Sequence, residues 1–238
     1  MLKNVSFKIN GGEKIGVVGR TGSGKSTTLL SLLRIIEPNS GHIFVDGVDI
    51  SKLGLDDLRR KITIIPQDPL LYKGTLKTNL DLLGQYKDED IWKALEKAHM
   101  SHKFKRFGLS SEVKEGGENF SAGEKQLLCI ARAILNKNKV ILVDEATSSI
   151  DNVTEETILE SIHENFKDCT MITIAHRLKT IIGSDKYWII LILFLILNNR
   201  ILFMENGNVM EFDSPMNLLK NKNGYFYKLW KEYQQAKA

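Results

Sequence analysis

A glycine-rich stretch near the start of the chain has the residue types that hold a nucleotide's phosphates. Residues 19–26 read Gly-Arg-Thr-Gly-Ser-Gly-Lys-Ser, which fits the pattern G-x-x-x-x-G-K-[ST]. In that pattern backbone N–H groups and the lysine surround the phosphates, and the final hydroxyl ligates magnesium. A chain of this length would contain it by chance about one time in a hundred. The candidate binding residues are Gly19, Thr21, Gly22, Ser23, Gly24, Lys25, Ser26 and Thr27.

Two adjacent acids, Asp144 and Glu145, follow the aliphatic residues 140–143. The end of a buried strand is an unfavourable place for unpaired charge, so a divalent cation would give both carboxylates a reason to be there. The phosphate loop and the acids together predict a site for a nucleotide with magnesium.

The elements that must position these residues are short. Residues 14–18 predict a strand that leads into the loop, and residues 26–36 have the apolar spacing of a helix that leaves it. The N-terminus of that helix would place partial positive charge beneath the phosphates. Residues 62–65, 140–143 and 171–175 are apolar runs typical of strands buried on both faces of a mainly parallel sheet.

The flanking regions differ from this core. We expect a strand at residues 2–9, a turn at Gly11-Gly12, and a hairpin in which Asp46-Gly47 joins strands at 42–45 and 48–50. Between Thr75 and Leu135 the pattern is mostly helical, without a strand signal. We therefore expect one domain, with a core at about 1–75 and 136–238 and a helical subdomain at about 76–135.

Composition is that of a globular protein, with 42% hydrophobic and 26% charged residues among 238. The net charge of +4 is too small for a concentrated basic field, so we expect no nucleic-acid partner. Cys129 and Cys169 lack metal-ligand spacing, which favours reduced, partly buried thiols in a cytosolic compartment over a disulfide or zinc site.

Four further short motifs follow the phosphate loop in the sequence. Residues 65–68 read Ile-Pro-Gln-Asp, residues 120–126 read Phe-Ser-Ala-Gly-Glu-Lys-Gln, residues 148–151 read Ser-Ser-Ile-Asp, and residues 174–177 read Ile-Ala-His-Arg. In this order, with the phosphate loop and the paired acids, they resemble the nucleotide-binding domain of an ATP-binding cassette (ABC) transporter over nearly the whole chain. The resemblance implies an α/β fold: a P-loop NTPase (RecA-like) core with an antiparallel β subdomain and an inserted helical signature subdomain.

The resemblance also implies roles for individual residues. The catalytic positions of the family correspond here to Glu145, His176, Lys25 and Gln67, and its magnesium ligands to Ser26, Gln67 and Asp144. Glu145 would polarise the attacking water and His176 would fix the γ-phosphate of ATP. Lys25 and Mg²⁺ would neutralise the phosphate oxygens, because phosphoryl transfer depends on position and charge stabilisation.

Residues 120–126 resemble the family's signature loop, with Phe120 in place of leucine and Glu124 in place of glutamine. Ser121 and Gly123 suit a helix N-terminus that receives a γ-phosphate, although a plain helix cap is the alternative. In the family this loop contacts ATP held by the opposite domain. The resemblance therefore implies a head-to-tail dimer with a second nucleotide-binding domain, together with transmembrane domains.

Residues 18–26 and 112–121 most resemble the second cassette of the multidrug-resistance-associated exporters, subfamily C. Glu145 supports that assignment, because the first cassette of those exporters often lacks the catalytic glutamate. Family members carry an adenine-stacking aromatic residue before the strand that residues 2–9 represent, so the chain looks truncated. If that stacking is lost, we expect ATP binding to weaken roughly 10- to 100-fold.

Residues 187–200 interrupt the family pattern with an unbroken apolar run at 187–197. Eleven residues are too few to span a bilayer as a helix. Joining Lys186 to Ile201 restores the expected strand and turn, so the segment is predicted to be inserted. A translated intron or gene-model error is the favoured explanation, and a genuine insertion or a membrane-contacting loop is the alternative.

Three functions remain open on the sequence. The first is an ATPase that powers a membrane exporter from the cytoplasmic face of the membrane. The second is a soluble ABC ATPase in DNA repair or translation, although one compact cassette favours the first. The third is a module that holds ATP without turnover.

Overall fold

A computed structural model describes residues 2–144, 150–174 and 198–235. The chain forms two compact units, the first made of Met1–Ile62, Lys139–Glu145 and Cys169–Ala238, the second of Thr63–Asn138 and Ala146–Asp168. The second unit thus begins earlier than the predicted helical subdomain and also takes in a later segment. Within the described ranges, none of the helices is both long and apolar enough for a membrane span.

The described strands in chain order are β1 (Lys14–Gly19), β2 (Phe44–Val45), β3 (Val48–Asp49), β4 (Ile62–Ile65), β5 (Gly74–Thr75), β6 (Glu112–Val113), β7 (Val140–Asp144), β8 (Thr170–Ile174), β9 (Arg200–Glu205) and β10 (Asn208–Asp213). The described helices are α1 (Lys25–Leu32), α2 (Leu55–Arg59), α3 (Leu76–Leu80), α4 (Asp88–Lys97), α5 (Ala122–Asn136), α6 (Asn152–Asn165), α7 (Pro215–Lys220) and α8 (Tyr225–Gln235).

The sheet of the first unit has β1 near its centre. Its strands run in the order β10-β9-β1-β8-β7, and all are parallel except the edge strand β10. Ile15 and Val17 of β1 are fully buried, and they share one apolar cluster with Leu29 of α1, Leu142 of β7 and Ile172 of β8. The apolar runs that predicted buried parallel strands at β7 and β8 are thereby confirmed.

The opening segment differs from its prediction. Residues 2–9 were expected to form a strand but are not part of any ladder among the described residues. Val5, Phe7 and Ile9 still pack against the core cluster, and the backbone N–H of Lys3 donates to the carbonyl oxygen of Gly207 at 2.7 Å. The alternating apolar side chains that suggested a strand therefore reflect packing on one face.

The predicted hairpin is present between β2 and β3. Its turn residues Asp46 and Gly47 have φ of 49° and 78°. Two successive positive φ values are what a two-residue hairpin turn of type I′ requires, which is why an Asp-Gly pair predicts it.

The second unit is mainly helical, as predicted, but it also contains a short antiparallel ladder. Gly74 of β5 pairs with Val113 of β6, and Thr75 pairs with Glu112. The expectation of no strand in this region was wrong, because two residues are too few for an alternating pattern to show in the sequence. Helices α4 and α5 pack together, as do α5 and α6.

The strand and turn expected after residue 200 are present as β9 and the turn at Asn206 and Gly207, both with positive φ. Arg200 begins β9, one residue earlier than predicted, and its guanidinium lies 3.5 Å from the centre of the Phe212 ring. Residues 187–197 lie outside the described residues, so their assignment as an insertion stays a prediction. Both cysteines are buried and neither is in a disulfide.

Candidate functional site

The glycine-rich loop leaves β1 at Gly19, where the backbone packs too closely for a side chain. Gly19 has φ of 151°, and a Cβ atom there would lie 2.1 Å from the carbonyl oxygen of Met204 and 2.7 Å from Ser23 Oγ. The backbone N–H of Gly207 donates to the carbonyl oxygen of Ser23 at 3.0 Å. The loop is therefore held against the β9–β10 turn, and glycine is required at its first position.

Helix α1 begins without a side-chain cap at its N-cap residue. Its N-cap residue Gly24 has φ of 104°, no side chain accepts a hydrogen bond there, and the first turn contains no acidic residue. The helical ladder starts with the N–H of Thr28 donating to the Gly24 carbonyl oxygen at 3.0 Å. The N–H groups of Lys25, Ser26 and Thr27 therefore point out of the helix end. This arrangement favours an anion, since its charge would meet N–H donors and the positive end of the helix dipole.

Lys25 supplies a buried positive charge to the loop. Only 3% of its surface is exposed, and its Nζ donates to the carbonyl oxygens of Gly19 at 2.8 Å and Arg20 at 3.0 Å. The buried ammonium is thus aimed by the loop's own backbone. Ser23 is 2% exposed, and its Oγ has no hydrogen-bond partner among the described residues. A buried charge and an unsatisfied hydroxyl together suit a phosphate group.

Asp144 ends β7 at the carboxyl end of the parallel strands, which is also where the loop leaves β1. Val17 of β1 and Asp144 of β7 are both in register with Ile174 of β8. Asp144 therefore lies two strand spacings from β1, or about 10 Å. Asp144 and Ser26 are both half-buried and offer carboxylate and hydroxyl oxygens, the donors that magnesium prefers. Within this unit, the residues present fit a magnesium-bound nucleotide.

Two of the predicted catalytic residues cannot be placed. Glu145 and His176 lie outside the described residues, although Glu145 directly follows the end of β7 and His176 comes two residues after β8. Their predicted roles therefore remain predictions.

Gln67 belongs to the second unit and is exposed just after β4. The carbonyl oxygen of the preceding Pro66 accepts a hydrogen bond from Gln126 Nε2 at 3.1 Å. Gln126 is fully buried on α5, 60 residues away in sequence. It was missing from the predicted site residues, and the signal that could have found it is a glutamine on the apolar face of a helix.

Ser121 caps helix α5 in a reciprocal arrangement. Its Oγ accepts from the Glu124 N–H at 3.2 Å, while its own N–H donates to Glu124 Oε2 at 2.9 Å. This is a capping box, so the alternative of a helix cap describes the structure correctly. The Ser121 hydroxyl hydrogen is not used in these two bonds, so a cap and a phosphate contact are compatible.

Gly123 has a packing reason to be glycine. A Cβ atom there would lie 2.3 Å from Thr154 Cγ2 and 3.3 Å from Ile150 Cγ2. The start of α6 therefore packs directly on the first turn of α5. The sequence predicted Gly123 for close approach of a phosphate, and close packing within the unit requires it as well.

Comparison with known proteins agrees with this geometry. A family model described as ABC transporter matches residues 2–148. The chain is 48% identical to ABC transporter C family member 13 of Dictyostelium discoideum over 97% of its own length and 16% of that protein. It is 47% identical to ATP-binding cassette sub-family C member 3 of Rattus norvegicus, over 98% of its own length and 14% of that protein.

A solved structure gives the same result for the fold. A bacterial Atm1-family ABC exporter with ATP bound matches with a TM-score of 0.82 and 31% identity, over 97% of this chain and 38% of that chain. The α/β cassette fold is therefore confirmed. The chain spans 14% to 16% of the length of the two curated relatives above.

Proposed function

Because the chain belongs to the ABC transporter family and is its nucleotide-binding cassette, we propose that it hydrolyses ATP to power export across a membrane. The observation that carries the proposal is the start of α1, where the buried ammonium of Lys25 lies at a helix N-terminus that has no side-chain cap and no acid in its first turn. The family binds ATP, and this helix end has the donors and the charge that its phosphates need.

Magnesium, when bound, would neutralise charge on the phosphate oxygens. Ser26 and Asp144 would hold it, with Gln67 as a further ligand. Lys25 would bind the β- and γ-phosphates, the glycine loop would orient them, and His176 would hold the γ-phosphate. Glu145 would accept a proton from the attacking water, which is the work of a general base.

The proposal includes partners. The chain is a single cassette. In a head-to-tail pair, the signature loop of a second cassette completes its ATP site. Both cassettes act on transmembrane domains at the cytoplasmic face of a membrane. The subfamily C relatives and the exporter structure support this over a repair or translation ATPase.

The test is the substitution Glu145→Gln in the 238-residue chain. We expect ATP binding to be retained while phosphate release slows about 10²- to 10⁴-fold, because a positioned general base contributes that much. Phosphate release is measured across protein concentrations high enough for two chains to pair. Glu156→Gln, an exposed glutamate on α6, is the matched control.

Each outcome decides between functions. Equal turnover in Glu145→Gln and the unmodified chain would remove Glu145 from its role. Binding without turnover at every concentration would favour the module that only holds ATP. The same measurements on a chain lacking residues 187–200 show whether that segment is foreign to the cassette.

A further inference from the structure

Two residues of the signature loop that differ from the family pattern contact the same lysine. Lys103 Nζ lies 2.5 Å from Glu124 Oε1 and 4.7 Å from the centre of the Phe120 ring. The neighbouring Phe104 is buried, and its ring centre lies 6.0 Å from that of Phe120. The two departures are therefore linked in space, although each looks independent in the sequence.

Glu124 brings a negative charge to a place where the proposed function brings a phosphate. It is the third residue of α5, and its carboxylate already bonds the Ser121 N–H. A glutamine would keep that hydrogen bond without the charge. The Glu124 carboxylate would repel a phosphate that lies a few ångströms away, and this repulsion would weaken ATP binding. A nearby positive charge is therefore needed to offset the charge of the carboxylate.

The carboxylate of Glu124 is ionised at neutral pH. Burial raises its pKa, but hydrogen bonds from Lys103 and from the Ser121 N–H outweigh burial and leave the pKa below its ordinary value. The Lys103 and Glu124 side chains are 33% and 30% exposed, so solvent only partly screens the pair. Within the described part of the chain, Lys103 is thus the cation that faces this charge at contact distance.

We propose that Lys103 is a positioning residue of the signature loop, which cancels the charge of Glu124 so that Ser121 can approach the γ-phosphate of ATP. The proposal rests on the proposed function, in which residues 120–126 face a triphosphate held by a second copy or a partner cassette. Lys103 acts through Glu124 and does not itself touch the nucleotide.

The experiment compares steady-state ATP hydrolysis by the unmodified chain with Lys103→Met, Glu124→Gln and the double variant. We expect Lys103→Met to raise the KM for ATP about fivefold, the size typical for losing a partly exposed ion pair, with kcat little changed. The double variant should return to within about twofold of the unmodified chain, since no charge is left to cancel.

Three controls separate charge from packing. Lys105→Met removes a charge from an exposed neighbour and should leave the KM unchanged. Lys103→Arg keeps the charge and should do the same. ADP lacks the γ-phosphate, so its affinity, measured by calorimetry, should be equal in all variants. Circular dichroism melting confirms that each variant is folded.

The inference is overturned by an unchanged KM in Lys103→Met, by a double variant as impaired as the single one, or by a raised KM in Lys103→Arg. An equal loss of ADP and ATP affinity would assign Lys103 to folding only. A chain without any ATP turnover fails the proposed function itself, which the unmodified protein reveals before any variant is compared.

Discussion

The N-termini of helices α1 and α5 differ in whether the protein's own side chains cap them. Helix α1 begins at Gly24 with no side-chain cap and no acid in its first turn, and a buried lysine stands beside it. Helix α5 begins with the capping box of Ser121 and Glu124. The first end has no side-chain cap and would suit an anion from outside, whereas the second is capped by its own side chains.

The contrast is sharpest at the third helical position. That position is Thr27 in α1 and Glu124 in α5. A neutral residue at Thr27 leaves the proposed phosphate site at α1 positive, whereas the Glu124 carboxylate stabilises α5 but would repel an incoming anion. The two helix N-termini therefore differ in how favourably each would bind an anionic ligand.

The largest expected effect follows from removing the cation at α1. Lys25→Met should weaken ATP binding about 100-fold, because charge-assisted hydrogen bonds to the phosphates are lost. Isothermal titration calorimetry measures it, with the exposed Lys8→Met as the control for net charge. A similar loss in both variants would mean that overall charge, and not the loop, binds the nucleotide.

The next effect would make α1 resemble α5. Thr27→Glu should weaken ATP binding about 30-fold through repulsion between its carboxylate and the phosphates. Thr27→Gln has the same shape without the charge and should bind within about threefold of the unmodified chain. If the two variants bind equally, the lack of an acid at this helix end has no role in phosphate binding.

A smaller effect separates capping from ligand contact at α5. Ser121→Ala should lower the free energy of unfolding by about 1 kcal/mol, as loss of an N-cap generally does. Ser214→Ala removes the equivalent cap of α7, where Ser214 Oγ accepts from the Asn217 N–H at 3.3 Å, and should cost about the same. Only Ser121→Ala should also lower ATP turnover; equal turnover would leave Ser121 a cap alone.

The smallest effect is the pH dependence of the capping box. The pKa of Glu124 is lowered from its ordinary 4.5, so its stabilising contribution is present above that value and is lost as pH falls through the folded-state pKa. The difference in unfolding free energy between the unmodified chain and Glu124→Gln should shrink over that range. Urea titrations from pH 7 to about pH 3 test it, and a difference independent of pH would exclude an ionised cap.

Local signals made much of the fold predictable. The glycine spacing before α1 and the apolar runs of β7 and β8 are short patterns that depend only on neighbouring residues, and the structure contains each of them. The prediction of a strand at residues 2–9 was wrong. Alternating apolar residues indicate that one face of a segment is buried, but they do not show that a neighbouring strand pairs with it.

The contacts around the signature loop could not be predicted. Lys103 and Glu124 belong to different elements of the second unit, and Gln126 reaches Pro66 across 60 residues. No periodic pattern links such pairs, since they depend on how helices and loops pack. The departures at Phe120 and Glu124 were visible in the sequence, but their shared partner was visible only in three dimensions.

The position of β1 has a consequence for how the protein is made. This strand ends at Gly19, yet its neighbours β8 and β9 begin only at Thr170 and Arg200, so the ribosome synthesises it long before its partners. At about 5–20 residues per second, its apolar side chains wait on the order of ten seconds or more for a partner. The strand that leads into the proposed phosphate-binding loop is thus synthesised long before the sheet around it is complete, and molecular chaperones have that interval in which to shield it.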